Sequence, residues 1–260
     1  MINRLVHFSD LHVRLFKDHD LYRGILESAL SEWKTLQPDR IVFTGDLVHS
    51  KNQMTPELVE FVAWILTECS KIAKTIVIIG NHDFLENNNA RLDALTPIID
   101  SLKNENIVYL KNRGVYPDDN INWCVYSLMD HNIPPDINKS ENTNIGLFHG
   151  PIQGLYTDIG FKFKDGFEVS KFDGCDLVLC GDIHKRQQFT LPNGGKAIMV
   201  GSLIQQNFGE TVKHHGYGIY DVTTDEYTFH DLPNEQPFLH FTISDIKDIE
   251  NGEEAHVNLG

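Results

Sequence analysis

Three polar clusters, evenly spaced behind three short apolar segments, constrain this chain more than any other feature. Asp10-Leu11-His12, Gly45-Asp46 and Gly80-Asn81-His82-Asp83 follow the apolar stretches 4–9, 40–44 and 75–79. Asp10 precedes Asp46 by 36 residues, and Asp46 precedes Asn81 by 35. Each interval matches one βαβ unit of about 30 or more residues. Leu21, Ile25, Ala29, Leu30 and Trp33 recur at helical spacing within 21–36, and Pro38 stops that helix. Thr55-Pro56-Glu57 opens a second helix running to about Lys71, with Thr55 as N-cap and Pro56 in the first turn. A third helix is expected over 89–103. Such a series predicts right-handed crossovers and a parallel sheet. All three clusters then fall at the carboxyl ends of strands, the edge where open α/β sheets hold ligands.

The second half is richer in strands, expected at 123–127, 145–148, 177–180, 196–200, 217–222 and 227–231. It adds two more clusters, Phe148-His149-Gly150 and Gly181-Asp182-Ile183-His184. The polar stretch 130–144, with Pro134-Pro135, reads as an exposed loop. The chain changes character near Pro233, with a strand expected at 238–244 and an acidic stretch at 245–254. A main domain over 1–235 and a C-terminal appendage over 236–260 are therefore expected.

Taken singly, each cluster has an ordinary reading. An Asp-x-His is usually a turn or helix cap, a Gly-Asp a turn, and a lone His149 a core or surface histidine. Their joint order on one sheet edge points instead to a metal centre. Mixed imidazole and carboxylate shells suit borderline divalent metals. Two such ions about 3.5–4 Å apart can clamp a phosphate and activate water. Holding two like charges that close needs a bridging carboxylate, and Asp46, central in the series, is the natural bridge.

D-x-H, G-D, G-N-H-D, H and a final G-x-x-H, spanning residues 10–184, resemble the motifs of the calcineurin-like metallophosphoesterases. The resemblance implies an α/β metallophosphoesterase fold, a two-sheet β-sandwich flanked by helices, with two metals at one edge. It assigns Asp10, His12, Asp46 and His184 to one ion, and Asp46, Asn81 and His149 to the other. His82 matches the catalytic histidine beside the phosphate, and Asp83 is expected to orient it. Water activated by the two metals would attack directly, with no covalent intermediate. Manganese is the first choice of ion, ahead of magnesium, iron(II) or zinc. The last motif departs from the family's G-H-x-H, because Asp182 stands where an imidazole is expected. A carboxylate is a competent, harder ligand, so Asp182 is expected to bind the second metal.

A narrower resemblance favours a DNA nuclease. Gly45-Asp46-Leu47-Val48-His49, the segment 177–185, and the G-S-x-x-x-x-x-F-x-E stretch from Gly201 to Glu210 are similar to the SbcD exonuclease subunits. This implies hydrolysis of DNA phosphodiesters in repair, recombination or replication. It also implies a capping domain opening near 236 and an SbcC-like, SMC-type ATPase partner. A phosphatase or small-molecule phosphodiesterase on the same scaffold is the alternative. A scaffold that has lost catalysis is disfavoured, because it would have no reason to keep so many carboxylates together.

Charge argues mildly against a nucleic-acid binder. Lys and Arg total 22 against 37 Asp and Glu, a net charge of −15, and two divalent cations would leave −11. Local basic groups beside the motifs, Arg14, Lys185 and Arg186, with Lys51 as a further one, could contact phosphates, although solvated loop charge is the preferred reading. His49 is either a neighbour of the Asp46 site or a loop histidine. Tyr156, Phe161, Phe163 and Phe167 interleave with Lys162, Lys164 and Lys171, either as a stacking surface or as a packed hairpin. A homodimer through the early helices is implied by the resemblance. Trp64 with Ile65, or Leu92 with Leu95, could serve it, although packing against the sheet is the preferred reading. The four cysteines lack C-x-x-C spacing and read as reduced, buried thiols. No apolar run approaches the ~20 residues of a membrane span, and a cytoplasmic location is expected.

Overall fold

The structure, a computed structural model, describes residues 1–86, 88, 91–138 and 140–239. The expected acidic stretch at 245–254 and most of the strand expected at 238–244 lie outside them. Two six-stranded sheets form the body of the molecule. In the first, β1 (Arg4–Phe8), β2 (Arg40–Phe43), β3 (Lys74–Val77) and β4 (Ile107–Tyr109) run parallel. The antiparallel pair β11 (Gly216–Asp221) and β12 (Glu226–Asp231) completes it beside β1. The crossovers are α1 (His19–Leu36), α2 (Pro56–Ile72) and α3 (Thr96–Leu102).

The second sheet is ordered β5 (Gly114–Asp118), β6 (Ile121–Tyr126), β7 (Thr143–His149), β8 (Leu177–Gly181), β10 (Lys196–Met199) and β9 (Gln187–Thr190). β6, β7, β8 and β10 are parallel neighbours, with antiparallel strands at both edges.

Alternation along the strands explains the layering. On β1, Leu5 points between the sheets with Val42, Ile76, Trp123, Leu147 and Leu179. Val6 and Phe8 point outward, beneath Leu26, Trp33 and Phe61 of the helices. Strands buried on both faces read as continuous apolar runs, which is why β1–β3 are conspicuous in the sequence. The Thr55 hydroxyl accepts the Leu58 amide at 3.2 Å, as expected of an N-cap. Among the described residues, the α-helices flank the first sheet. The outer face of the second is covered by a loop whose Ile152, Phe167 and Phe172 pack on Tyr126 and Phe148.

Several expectations need correction. The third helix starts at Thr96, not 89, because Asp93 folds back on the Leu95 and Thr96 amides and Pro97 fits a first turn. The stretch 130–144 is not all loop, since β7 opens at Thr143 and Asn144 is buried. Ile65 and Leu95 are buried, in line with the preferred reading, whereas Trp64 is half-buried beneath Arg23 and Leu92 is exposed. All four cysteines are free and buried.

Candidate metal centre

Every predicted donor cluster reaches one edge, where the carboxyl ends of β1, β2, β3, β7 and β8 meet. The backbone there is unusual. Asp10, His12, Asp46 and Asp182 all have positive φ, between 47° and 96°. For side chains other than glycine this conformation is costly, and such residues gather at functional sites. The packing here is close both within the first sheet and between the two sheets. A Cβ on Gly80 would lie 2.2 Å from the Asp46 carboxylate, and one on Gly181 would lie 2.2 Å from Ser9 Oγ. Glycine is thus required at both positions for the donors to converge.

Three sets of donor atoms among the described residues each fall within 4.8 Å of one another: Asp10, His12 and His184; Asp10, Asp46 and His149; and His12, His49 and His82. His149 donates Nδ1–H to the Thr44 carbonyl at 2.7 Å, which turns Nε2 inward to Asn81 Oδ1 at 3.2 Å and Asp46 Oδ1 at 3.4 Å. Asp182 Oδ1 lies 3.8 Å from the same Nε2. His184 donates Nδ1–H to Glu210 at 2.7 Å, and its Nε2 lies 3.0 Å from His12 Nε2. Two imidazole lone pairs cannot face each other at that distance without a proton or a cation between them.

This donor set fits two divalent cations. Asp10 and Asp46 are buried, and a buried carboxylate needs a compensating charge. Without cations, protons fill that role. Burial pushes Asp10 up to about 6, against the opposing pull of His149 and His184. Burial also works against Asp46, but His149 and His12 outweigh it and hold its carboxyl well below the usual range. For His149 burial is outweighed by Asp46, Asp10 and Asp182, which keep the imidazolium well above its ordinary value. For His184 it is outweighed by Glu210 and Asp10, which raise the ring to about 9. Burial raises Asp182 as well.

His82 lines the same cavity as His12, Asp46, His49, Asp182 and His184. Its backbone amide donates to Asp46 at 2.7 Å, and its Nδ1 donates to the His49 carbonyl at 2.8 Å. This corrects the expected role of Asp83. That carboxylate is buried and accepts the amides of Asp46, Leu47, Val48 and Gly80 at 2.8–3.1 Å. It braces the loops carrying Asp46 and His82 and leaves the His82 ring to His49. Burial and Asp46 push Asp83 up to about 7, against those amides.

The three basic candidates part company. Arg14 lines the cavity and donates to the Gln206 carbonyl at 3.1 Å. Lys185 lines an adjoining cavity with Asp158, Ile159, Phe163 and Glu210. Arg186 turns away, pairing with Asp231 and lying over Phe229, and so does not meet the substrate-contact expectation. Lys51 braces the loop by donating to the Asn81 carbonyl at 2.9 Å. The aromatic stretch is divided: Phe163 and Phe167 pack on the core, and Tyr156 and Phe161 are exposed. Glu210, Gln206 and Asn207 were not singled out from sequence. Glu210 lies 26 residues beyond His184, and only the G-S-x-x-x-x-x-F-x-E resemblance marked its neighbourhood.

Fold and donor set together define a phosphoesterase with a candidate metal centre. The calcineurin-like phosphoesterase family model matches residues 3–186, and the chain belongs to that family. A hydrolytic phosphoesterase is accordingly its class of activity. The chain is 35% identical over 234 residues to the uncharacterized protein R555 of Acanthamoeba polyphaga mimivirus; the match covers 84% of this chain but only 17% of that relative's length. Its fold is similar to the crystal structure of a dimetal phosphatase from Danio rerio, with a TM-score of 0.53 and 12% identity, covering 91% of this chain and 98% of that one. Among the described residues, no helix is long and apolar enough to cross a membrane.

Proposed function

We propose that this chain is a metal-dependent nuclease that hydrolyses phosphodiester bonds in DNA. The supporting observation is a trough. Two adjoining cavities of about 280 Å³ each share Asp182, His184 and Asn207. They run from His82 and the metal donors to Ile159 and Phe163. At the far end Ile159 is 78% and Phe161 57% exposed, and Phe208 stands exposed on the neighbouring loop. A trough with a phosphate site at one end and an apolar rim at the other suits a strand of nucleotides better than a compact phosphomonoester.

Two divalent cations, held by Asp10, His12, Asp46, Asn81, His149, Asp182 and His184, would supply Lewis acidity and an activated water. The protein's own groups do the rest. With Nδ1–H donated to the His49 carbonyl, His82 offers Nε2 to the leaving oxygen, and that nitrogen carries a proton only in the imidazolium. Arg14 and Lys185 hold flanking phosphates and offset a net charge of −15 locally. The chain continues past 236 from the rim of the site. Gln205 grips the Phe238 backbone at 2.9 and 3.1 Å, and Phe208 meets the Phe238 ring at 5.0 Å. A capping segment, an SbcC-like ATPase or a second copy of the chain approaching there would meet substrate directly.

The test is manganese-dependent cleavage of end-labelled single- and double-stranded DNA, beside a bis-aryl phosphodiester and an aryl phosphomonoester. The nuclease reading expects DNA to be cut, and Phe161→Ala to weaken DNA binding by about 1 kcal/mol while sparing the small diester. Hydrolysis of the small esters alone would assign the site to a phosphatase or small-molecule phosphodiesterase.

A further inference from the structure

We propose that Glu210 is a positioning residue of the metal centre, fixing the tautomer and aim of His184. The proposal rests on the reading of His184 as a ligand. Glu210 sits on the loop after β10, and its side chain is only 6% exposed. Its two oxygens divide their partners. Oε1 accepts His184 Nδ1–H at 2.7 Å and Asn207 Nδ2 at 2.9 Å. Oε2 accepts the Gln206 amide at 2.8 Å and Ser202 Oγ at 3.3 Å. No Lys or Arg side chain pairs with it among the described residues, so His184 is its one ionisable hydrogen-bond partner. A carboxylate in that position holds the proton on Nδ1, aims the Nε2 lone pair at the cation and raises its basicity. The other oxygen keeps the loop folded over the site, and Gln205 reinforces it by donating to the Glu210 carbonyl at 3.1 Å. The two oxygens therefore predict separable consequences, one for metal affinity and one for loop order.

The test is titration calorimetry of the whole chain with Mn2+ alone, run with the metal-free thermal midpoint. Glu210→Gln, Ser202→Ala, His184→Ala and the Glu210→Gln/His184→Ala pair are compared. Glu210→Gln is expected to weaken one of two cations by tenfold or more. The weakening should vanish in the His184→Ala background, and Ser202→Ala should leave affinity intact. Should Glu210→Gln fail to fold, Glu210→Asp gives the same comparison by withdrawing the carboxylate one methylene from His184. Two cations bound at wild-type affinity by the Glu210 variant would overturn the proposal. So would a loss undiminished without His184, or an equal loss from Ser202→Ala, since either makes Glu210 a loop staple only. A wild-type chain that binds no cation would instead refute the metal-centre reading itself.

Discussion

The metal centre has a closed half and an open half, and the two are built differently. Asp10, Asp46 and His149 are sealed between the sheets, each within 2% of full burial. They are held by strand ends, by glycines that admit no side chain, and by the Asp83 carboxylate with its four backbone amides. The Asp182 and His184 side chains are 18% and 23% exposed and rest on loops tied together by Glu210. The closed half concentrates negative charge where water cannot screen it, so cations placed there would be held strongly. The open half is the more exposed, so substitutions there are expected to cost less.

The comparison makes graded predictions. The largest effect belongs to the closed half. Asp46→Ala removes the carboxylate whose oxygens lie 3.4 Å from His149 Nε2 and 3.5 Å from His12 Nε2, so cation content should fall towards zero and diester hydrolysis to background, read by elemental analysis and a manganese-dependent assay. If Asp46→Ala retained both cations, the closed half would not be the anchor. In the open half, His82→Ala should lower kcat about 10²–10⁴-fold, the usual worth of a general acid, with cation content unchanged. Loss of metals together with activity would move His82 into the anchoring set.

Acidity acts on both halves in the same direction. His149 and His184 have folded pKa values raised above 6.5, with His184 at about 9. Their stabilisation is present below pH 6.5 and is lost as pH rises through the folded values. Asp10, raised to about 6, and Asp83, raised to about 7, lower stability in the same direction, mostly below this window. His7, lowered to about 3 by burial, and His12, also lowered, act oppositely but only below pH 6.5. In chelator, stability should therefore fall by about 2 kcal/mol between pH 6.5 and 9, after discounting for the partial exposure of His184. With manganese bound in place of those protons, the fall should disappear. Thermal melts across that range check it, and a flat chelated profile would contradict the charge account.

The smallest effect is expected at Asp182. Asp182→His, which restores the family's imidazole, should alter the affinity of one cation on the order of tenfold and leave the other unchanged. Asp182→Ala with full occupancy and unchanged affinity would show that the carboxylate does not ligate.

The site residues also differ in how legible they are in the sequence, along a different line from that between the halves. Asp10, Asp46 and Asn81 announce themselves because each ends a doubly buried strand one βαβ unit from the next. His149, Asp182 and His184 lie beyond irregular spacers, so no period marks them, and the motif resemblance was needed. The short edge strands β4, β5 and β9 escaped because they are three to five residues long and only partly buried, and β5 contains Pro117. Asp83 was found but given the wrong neighbour, since sequence adjacency to His82 says nothing about where a buried carboxylate's oxygens point. Glu210 escaped as a site residue because the contact with His184 is made by loop folding, which leaves no periodic trace.

Two cations are expected at this edge. The direct measurement is anomalous diffraction from crystals grown with manganese, collected on both sides of the manganese absorption edge. The account predicts two peaks, one among Asp10, His12, Asp46 and His184 and one among Asp46, Asn81, His149 and Asp182. An edge without peaks, in a crystal with all seven side chains intact and manganese in excess, would contradict it.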